Sequence, residues 1–261
     1  MTTTATRARF TDRTALVTGA GSGIGRTVAL AFAAEGANVV VTGRRRDPLE
    51  DTVTLIEEAG GKALAVAVAA DVSVAADVQA AVDATVDRFG RLDVAVNNAG
   101  VFRGGAPLAD LPEEDWHTQL ATNVTGVFLA LQAEIRQMRS QSTGGAIVNI
   151  ASTFGVHVRH PGAAAYAATK AAVSVLTKGA ALDHIRDGIR INAVSPGAVD
   201  TPMSLNPGET EADRAERARA ALPLGRVATT REVAAAVLYL ASDDAASVVG
   251  ADLVVDSGAT A

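Results

Sequence analysis

The 261-residue sequence contains no cysteine. Disulfide-stabilised scaffolds, thiolate catalysis and cysteine-ligated zinc or iron–sulfur sites are therefore excluded. The sequence also has no run near the ~20 apolar residues that a membrane-spanning helix needs. No apolar stretch of signal-peptide length follows the polar start MTTTATRARFTD. We therefore expect a cytoplasmic protein with no membrane partner, in which residues 1–12 form a flexible tail.

Charge of one sign is not in large excess, because 23 Lys and Arg residues oppose 29 Asp and Glu residues, for a net charge of −6. Such a mildly acidic chain has no general attraction for nucleic acid, so we expect no nucleic-acid partner. Any positive charge that binds a phosphate must then be local. The content of hydrophobic residues, 48%, and of charged residues, 20%, is typical of a globular protein.

Short β-branched runs alternate with alanine-rich stretches of helical spacing along the whole chain. The runs that predict strands are Ala15–Thr18, Asn38–Thr42, Leu64–Val68, Leu92–Val96, Ile147–Ile150, Ile189–Val194 and Leu253–Val255. Strands that are apolar throughout, rather than at alternate positions, are typical of a parallel sheet covered by helices on both faces. The pattern predicts a single doubly wound α/β domain over residues 13–261.

Two local signals indicate boundaries within this domain. Asp47 before Pro48 predicts an N-cap with proline at the first helical position, and Gly60-Gly61 predicts the end of that helix. The segment 205–220 (LNPGETEADRAERARA) is polar and rich in charge. It is typical either of a solvated surface helix or of a mobile lid over a substrate cleft, and we place the candidate lid at residues 201–222.

A glycine-rich turn follows the first strand directly and opens the first helix. It reads T-G-x-x-x-G-x-G from Thr18 to Gly25, and a strict G-x-G-x-x-G fails in both registers. In this position glycines allow backbone N–H groups and a helix N-terminus to approach a pyrophosphate. A plain turn would not need so many residues with a high backbone entropy cost. The turn therefore predicts dinucleotide binding.

Later motifs extend this interpretation over nearly the whole chain. They are Asn97-Asn98-Ala99-Gly100 after the fourth strand, Asn123, Ser152, Tyr166-x-x-x-Lys170, and Pro196-Gly197 within VSPGAVDTPM. With these motifs the chain resembles the short-chain dehydrogenase/reductase family, including its 3-oxoacyl carrier-protein reductases and alcohol dehydrogenases. The resemblance implies a Rossmann-type parallel sheet of about seven strands, a nicotinamide cofactor and a homotetramer. It also implies hydride transfer between the cofactor and a ketone or secondary alcohol.

The end of the second strand bears on the choice of cofactor, since an acid there binds a ribose 2′-hydroxyl and basic residues accommodate a 2′-phosphate. Gly43 stands where NAD-preferring relatives carry aspartate, and Arg44 and Arg45 follow it. These residues favour NADP(H); if the arginines are only a solvated run, NAD(H) is the alternative. The resemblance implies further cofactor contacts by Gly19, Ser22, Gly23, Ile24, Gly25, Asp71, Val72, Asn98, Ala99, Gly100, Tyr166, Lys170, Pro196, Gly197, Val199 and Thr201.

Tyr166 and Lys170 are four residues apart in a predicted helix, so both project from one face. A neighbouring ammonium stabilises a phenolate and lowers the pKa of tyrosine toward a value useful for proton transfer. We therefore predict Tyr166 as the general acid/base. The resemblance implies that Ser152 bonds the substrate oxygen and that Asn123 positions a water in a proton relay to Lys170. Thr153 is the fallback for Ser152, because the spacing to Tyr166 is slightly longer than is common in the family.

Between this serine and this tyrosine lie His157, Arg159 and His160. An arginine cannot ligate a metal and no carboxylate stands at metal-site spacing, so we expect no metal site. A solvated loop and contact with an anionic or carrier-linked substrate both remain open. The alternatives to a carbonyl reductase are a 3-oxoacyl thioester reductase, an NAD-preferring alcohol dehydrogenase and a non-catalytic dinucleotide-sensing protein.

Overall fold

The computed structural model describes residues 8–59 and 65–261. Within them, seven strands form one sheet of order β3-β2-β1-β4-β5-β6-β7, in which every neighbouring pair is parallel. The strands are β1 (Thr14–Thr18), β2 (Asn38–Gly43), β3 (Ala65–Ala69), β4 (Val94–Asn97), β5 (Gly145–Ile150), β6 (Ile189–Pro196) and β7 (Asp252–Val255). The predicted doubly wound parallel sheet of seven strands is confirmed. Leu64, predicted to open the third strand, lies outside the described residues.

Helices connect successive strands and cover both faces of the sheet. They are α1 (Gly23–Ala34), α2 (Arg46–Glu58), α3 (Ala75–Phe89), α4 (Glu113–Gln119), α5 (Gly126–Ser140), α6 (Ala164–His184), α7 (Glu211–Ala221) and α8 (Thr230–Ala241). Helices α1, α2 and α8 contribute side chains to one buried core, and α3, α5 and α6 contribute to the other. The chain therefore places one hydrophobic core on each side of the sheet.

The two cores explain why the strands are apolar throughout. Successive side chains of a strand point to opposite faces of a sheet. In β2, Val39 and Val41 belong to one core, whereas Val40 belongs to the other. The four inner positions of β2 are therefore all buried, and a polar side chain at one of them would have neither water nor a hydrogen-bond partner unless the core supplied one.

The start of α2 differs from the prediction. The helix begins at Arg46 with Arg45 as its N-cap, so Asp47 is not the cap and Pro48 is the third helical residue. Proline is tolerated there because the first N–H groups of a helix have no partner within the helix. The helix ends at Glu58, and Gly60 and Gly61, which we predicted to close it, lie outside the described residues.

The chain packs against the fold before residue 13. Phe10 is buried and its ring meets the ring of Phe32 edge-on, with the centroids 4.8 Å apart. Its backbone N–H also donates to the carbonyl of Glu35 at 3.1 Å. Residues 8–12 are therefore part of the folded unit, which corrects the boundary predicted at residue 13. Residues 1–7 of the predicted tail lie outside the described residues.

The strand order places a crevice at the carboxyl edge of the sheet. From β1 the chain moves outward to β2 and β3 and then returns to β4 on the other side of β1. Open α/β sheets bind ligands at such a reversal, outside the carboxyl ends of the strands. Here the ends are Thr18 of β1 and Asn97 of β4. In the described part of the chain, no helix is long and apolar enough to cross a membrane.

Candidate active site

The glycine turn after β1 is packed too tightly for side chains. A Cβ atom on Gly25 would lie 2.4 Å from the carbonyl oxygen of Gly19 and 2.5 Å from Nδ2 of Asn98. Gly19 has a φ of +64°, and a Cβ there would lie 2.9 Å from the Cα atom of Ala99. Glycine is thus needed at both positions, and the turn lies directly against the segment that follows β4.

Hydrogen bonds join the turn to that segment. Asn98 Nδ2 donates to the carbonyl of Thr18 at 2.9 Å and to that of Gly19 at 3.3 Å. The backbone N–H groups of Asn98 and Ala99 both donate to the hydroxyl of Thr18 at 3.0 Å. The predicted residues Asn98, Ala99 and Gly100 are therefore brought to the glycine turn. We did not assign this role to the Thr18 side chain, although its place before the first glycine of the motif was the available signal.

The N-terminus of α1 opens on this turn and is free of competing groups. Ser22 is the N-cap, but its side chain makes no capping hydrogen bond, and the first turn of the helix contains no acidic residue. Unpaired N–H groups and the helix dipole make such a terminus an anion site. A Cβ on Gly23 would lie 3.5 Å from Cγ2 of Thr201, so Thr201 adjoins the turn. The residues present therefore fit the pyrophosphate of a dinucleotide.

The carboxyl end of β2 carries two arginines that form no ion pair among the residues that the structure describes. Arg44 and Arg45 are exposed, whereas Arg46 pairs with Glu50 at 3.2 Å. The pKa of Asp71 is lowered, chiefly because Ser73 donates side-chain and backbone hydrogen bonds to its carboxylate, and the charge of Arg44 lowers it further. Arg44 and Asp71 therefore lie at the same side of the crevice, where we predicted the adenosine end of the cofactor.

Helix α6 carries the predicted catalytic pair. The Nζ atom of Lys170 lies 5.9 Å from the centroid of the Tyr166 ring and donates to the carbonyl of Ile150 at 2.7 Å. Ser152 is buried just after β5 and hydrogen-bonds to Tyr166 through its side chain. Since the bond is made by Ser152, the fallback Thr153 is not needed to complete the group. Three of the predicted side chains thus converge.

The pKa of Tyr166 differs in direction from our expectation. Burial raises it to about 12, although the hydrogen bond from Ser152 acts to lower it. Burial also lowers the pKa of Lys170 to about 8. Taking a group out of water disfavours its charged form, which is the phenolate for tyrosine and the ammonium for lysine. At neutral pH this protein therefore holds a protonated phenol beside an ammonium group.

Asn123 lies in a π-helical segment, Leu120–Thr125, between α4 and α5. Its buried side chain accepts from the N–H of Val101 at 2.8 Å and donates to the carbonyl of Val101 at 2.9 Å. It also donates to the hydroxyl of Thr169 at 3.1 Å, next to Lys170. A Cβ on Gly100 would lie 3.4 Å from both Asn123 Oδ1 and Lys170 Nζ. The π-helical turn, a feature often found at functional sites, thus points Asn123 toward the lysine.

The three basic residues of the connecting loop make contacts within the protein. His157 Nε2 lies 3.3 Å from the carboxylate of Asp252, and Arg159 donates to the carbonyl of Gly155 at 2.6 Å. The His160 ring stacks on Phe154 with the centroids 4.9 Å apart. These contacts shape the loop. Across residues 8–59 and 65–261, no three His, Asp or Glu side chains are grouped as metal ligands would be.

An aromatic side chain borders the catalytic tyrosine. The Phe102 ring meets the Tyr166 ring edge-on, with the centroids 5.1 Å apart and an angle of 86° between the planes. A Cβ on Gly104 would lie 2.5 Å from Cζ of Phe102, so Gly104 leaves the room that this ring occupies.

Comparisons with known proteins agree with this arrangement. Residues 19–260 match the model of a family described as enoyl-(acyl carrier protein) reductase. The chain is 40% identical over 250 residues to the short chain dehydrogenase/reductase astE of Aspergillus oryzae, covering 94% of each chain. It is 42% identical over 251 residues to the A-factor type gamma-butyrolactone 1'-reductase (1S-forming) of Streptomyces virginiae, covering 96% of each. A third relative is the cis-4-hydroxycyclohexanecarboxylate dehydrogenase of Sinomonas cyclohexanicum, 42% identical over 253 residues and covering 97% of this chain and 98% of that one.

Solved structures share the fold over the full length of the chain. The crystal structure of levodione reductase has a TM-score of 0.91 at 37% identity and covers 97% of this chain and 99% of that one. A short chain dehydrogenase from Burkholderia cenocepacia, solved in complex with NADP, has a TM-score of 0.87 at 36% identity and covers 97% and 100%.

Proposed function

Because this chain belongs to the short-chain dehydrogenase/reductase family, and is thus an oxidoreductase that acts on alcohol or ketone groups, we propose that it uses NADP(H) to interconvert a ketone and a secondary alcohol. The observation that carries the proposal is the convergence of Ser152, Tyr166 and Lys170 beside the glycine turn. A dinucleotide-sensing protein would need the turn but not this group of side chains.

In the proposed reaction, Tyr166 moves the proton. A bound nicotinamide would supply the hydride that the carbonyl carbon of the ketone accepts. As the C=O π pair moves onto oxygen, the Tyr166 hydroxyl donates its proton to that oxygen, and the O–H bond of the phenol breaks. The high pKa of Tyr166, about 12, keeps the phenol protonated at neutral pH and suits it to this donation. Ser152, which already bonds the phenol, orients the substrate oxygen.

Lys170 stabilises the phenolate that the donation leaves behind. Its ammonium lies near the Tyr166 ring, and burial removes the water that would screen the two charges. We propose that Asn123 holds a water through which Lys170 exchanges protons with solvent, which returns the proton to Tyr166. The bonds that fix the Asn123 side chain to Val101 and Thr169 support a positioning role.

Three groups of residues would hold the cofactor. We propose that the backbone of the turn binds the pyrophosphate and that Asp71 and Val72 contact the adenine. The segment after β4 would border the nicotinamide ribose together with Tyr166 and Lys170, and the segment after β6 would hold the carboxamide. The residues are Gly19, Ser22, Gly23, Ile24 and Gly25 of the turn, Asn98, Ala99 and Gly100 after β4, and Pro196, Gly197, Val199 and Thr201 after β6.

We propose that Arg44 and Arg45 bind the 2′-phosphate of NADP(H). Their support is their exposure, without an ion pair in the described structure, at the carboxyl end of β2. Gly43 offers a direct test, since a Cβ there would meet its nearest atom, Cδ2 of Leu49, at an ordinary 3.6 Å. The variant with Gly43→Asp and Arg44→Ala should therefore fold and should prefer NADH. Arg46→Ala is the matched control, because Arg46 pairs with Glu50, and it should leave the preference unchanged.

We propose a compact, largely apolar ketone as the substrate. The Phe102 ring packed against Tyr166 gives the reacting group an apolar neighbour. Two of the relatives, a gamma-butyrolactone 1'-reductase and a hydroxycyclohexanecarboxylate dehydrogenase, are named for ring compounds with a keto or hydroxyl group. A 3-oxoacyl thioester reductase and an NAD-preferring alcohol dehydrogenase are the alternatives that the assay must separate.

We also propose that the protein is a homotetramer. Two large apolar side chains on α6, Val175 and Leu182, are 66% and 77% exposed, and Phe128 on the neighbouring α5 is 44% exposed. Large exposed apolar side chains on two helices favour a contact with another protein chain at this surface. Light scattering after size exclusion should give four times the chain mass of 26.5 kDa. A single chain mass would refute this part of the proposal.

The activity itself is tested by following the absorbance of the reduced nicotinamide. Cyclic ketones, open-chain ketones and 3-oxoacyl thioesters are offered with NADPH and with NADH to the parent enzyme and to Tyr166→Phe. We expect turnover of cyclic ketones with NADPH and a loss of about 10²- to 10⁴-fold in the variant, the usual contribution of a general acid. Faster turnover of the thioesters would favour a 3-oxoacyl thioester reductase, and a preference for NADH would favour an NAD-preferring alcohol dehydrogenase. Cofactor binding by the parent enzyme without turnover of any substrate would favour the sensing protein.

A further inference from the structure

Helix α7 attaches to the rest of the protein through few side chains. Of its residues only Arg214 and Ala218 are buried, and the others, which are charged residues and alanines, are exposed. Its N-terminus is closed locally by a capping box, in which Thr210 accepts from the N–H of Asp213 and the Asp213 carboxylate accepts from the N–H of Thr210. The N-terminal N–H groups of the helix are therefore capped locally, and Arg214 is the main polar side chain that joins the helix to the rest of the fold.

The Arg214 guanidinium reaches the segment that follows β6. Its side chain is only 8% exposed and pairs with the Asp200 carboxylate. A second nitrogen donates to the backbone carbonyl of Thr201 and to the hydroxyl of Ser204, both at 3.1 Å. The Arg214 side chain thus bonds to three residues of the segment 200–204, namely Asp200, Thr201 and Ser204. The fork of donors on arginine suits it to such a multiple contact.

The same segment adjoins the glycine turn. Thr201 lies beside Gly23, and its own N–H donates to the carbonyl of Val199 at 2.7 Å. The N–H of Asp200 donates to the carbonyl of Ala228 at 2.8 Å. The segment is thus held from β6 and from the start of α8 at one end. Toward Ser204 it is held by Arg214, and by Arg217, which donates to the Ser204 carbonyl from the protein surface at 3.0 Å.

We propose that Arg214 is a positioning residue that holds Thr201 beside the cofactor turn and so sets the affinity for the nicotinamide cofactor. The inference rests on the proposed function, in which Thr201 contacts the carboxamide. Apparent affinity falls in proportion to the fraction of molecules in which a binding residue is already in place. Without Arg214 the segment would lose its buried anchor and sample other positions, and this fraction would fall.

Arg214→Ala should lower the fraction of molecules in which Thr201 is in place, without unfolding the protein. The partner left behind, Asp200, is 58% exposed, so water can solvate its carboxylate. Arg214→Lys keeps the charge but loses the fork and should give an intermediate effect. Arg219→Ala is the matched control, because Arg219 is an exposed arginine of the same helix. Thermal unfolding of each variant establishes that it is folded before binding is measured.

The experiment has two readouts, neither of which is turnover. Titration of protein fluorescence with NADPH should show affinity about tenfold weaker for Arg214→Ala, as expected for loss of hydrogen bonds to a charged group, and unchanged affinity for Arg219→Ala. Hydrogen exchange in the cofactor-free protein should be faster at residues 201–206 in Arg214→Ala alone. Equal affinity and equal exchange in the parent and in Arg214→Ala would overturn the proposal while leaving the proposed function intact. If the parent bound neither NADPH nor NADH, the proposed function would fail, and the proposal would fail with it.

Discussion

Glu134 should make the stability of the protein depend on pH. It lies on α5, is 1% exposed, and accepts a hydrogen bond from Asn97 Nδ2 at 2.9 Å. Burial raises its pKa from 4.5 to about 7, against the lowering effect of that hydrogen bond. The small cavity beside it is otherwise lined by apolar residues and threonines, among them Leu16, Thr42 and Val78. Among the described residues that line this cavity there is no cation to compensate an ionised Glu134.

The direction of the effect follows from the two states. Below pH 4.5 Glu134 is protonated in both the folded and the unfolded protein and contributes no difference. Between pH 4.5 and about 7 the unfolded chain releases the proton while the folded protein retains it, so the free energy of unfolding falls as the pH rises. At about 1.4 kcal/mol per pH unit, the loss reaches about 3 kcal/mol and is constant above pH 7.

Glu134→Gln should remove this loss, because glutamine resembles the protonated acid and can still accept from Asn97. Urea unfolding at fixed protein concentration should give similar stabilities for parent and variant at pH 5. At pH 8 the variant should be more stable by about 3 kcal/mol. Glu57→Gln, at an exposed position of α2, is the control; it retains Glu134, so its stability should match that of the parent at both pH values. A Glu134→Gln variant that is less stable than the parent at pH 8 would refute the reasoning.

Further predictions concern the glycine turn, Arg190 of β6 and Lys170. Gly25→Ala should abolish cofactor binding, because its Cβ would lie 2.4 Å from the carbonyl oxygen of Gly19. Gly179→Ala, with no atom within 4 Å of its Cβ, should bind the cofactor normally and should unfold at a slightly higher urea concentration. Arg190→Ala should cost about 3 kcal/mol in urea unfolding, since this arginine donates to four carbonyls at the end of α8 and just after it. The kcat/KM for ketone reduction should be constant up to about pH 8 and fall above it, because Lys170 then loses its charge; a profile that stays flat well above pH 8 would argue against an essential ammonium.

The sequence predicts some features of the sheet and of the site but not others. Apolar runs such as Asn38–Thr42 predict buried parallel strands because each position is packed on one face or the other, which is a local property of the pattern. Tyr166 and Lys170 are predicted to meet because helical spacing alone brings them to one face. The hydrogen bonds between Thr18 and Asn98 follow from the strand order, which brings β4 beside β1, and the sequence analysis did not predict them.

Other features depend on tertiary context that no short pattern contains. The direction of the Tyr166 pKa is set by burial, which outweighs the hydrogen bond from Ser152, and burial is known only once the fold is. Arg214 stands in a charged, surface-like stretch, and its contact with Asp200 and Thr201 depends on how α7 docks. The N-cap of α2 was assigned wrongly because proline suits several positions of a first turn.

The most direct test of the account follows one label through one turnover. Parent enzyme and Tyr166→Phe are each given NADPH carrying deuterium on the transferring face of C4, with the ketone that the parent reduces fastest. We expect the deuterium to appear on the carbinol carbon of the alcohol made by the parent enzyme. We also expect Tyr166→Phe, at saturating NADPH, to transfer the label about 10²- to 10⁴-fold more slowly. Equal rates of transfer by the two proteins, or an alcohol without the label, would contradict hydride transfer with Tyr166 as the proton donor.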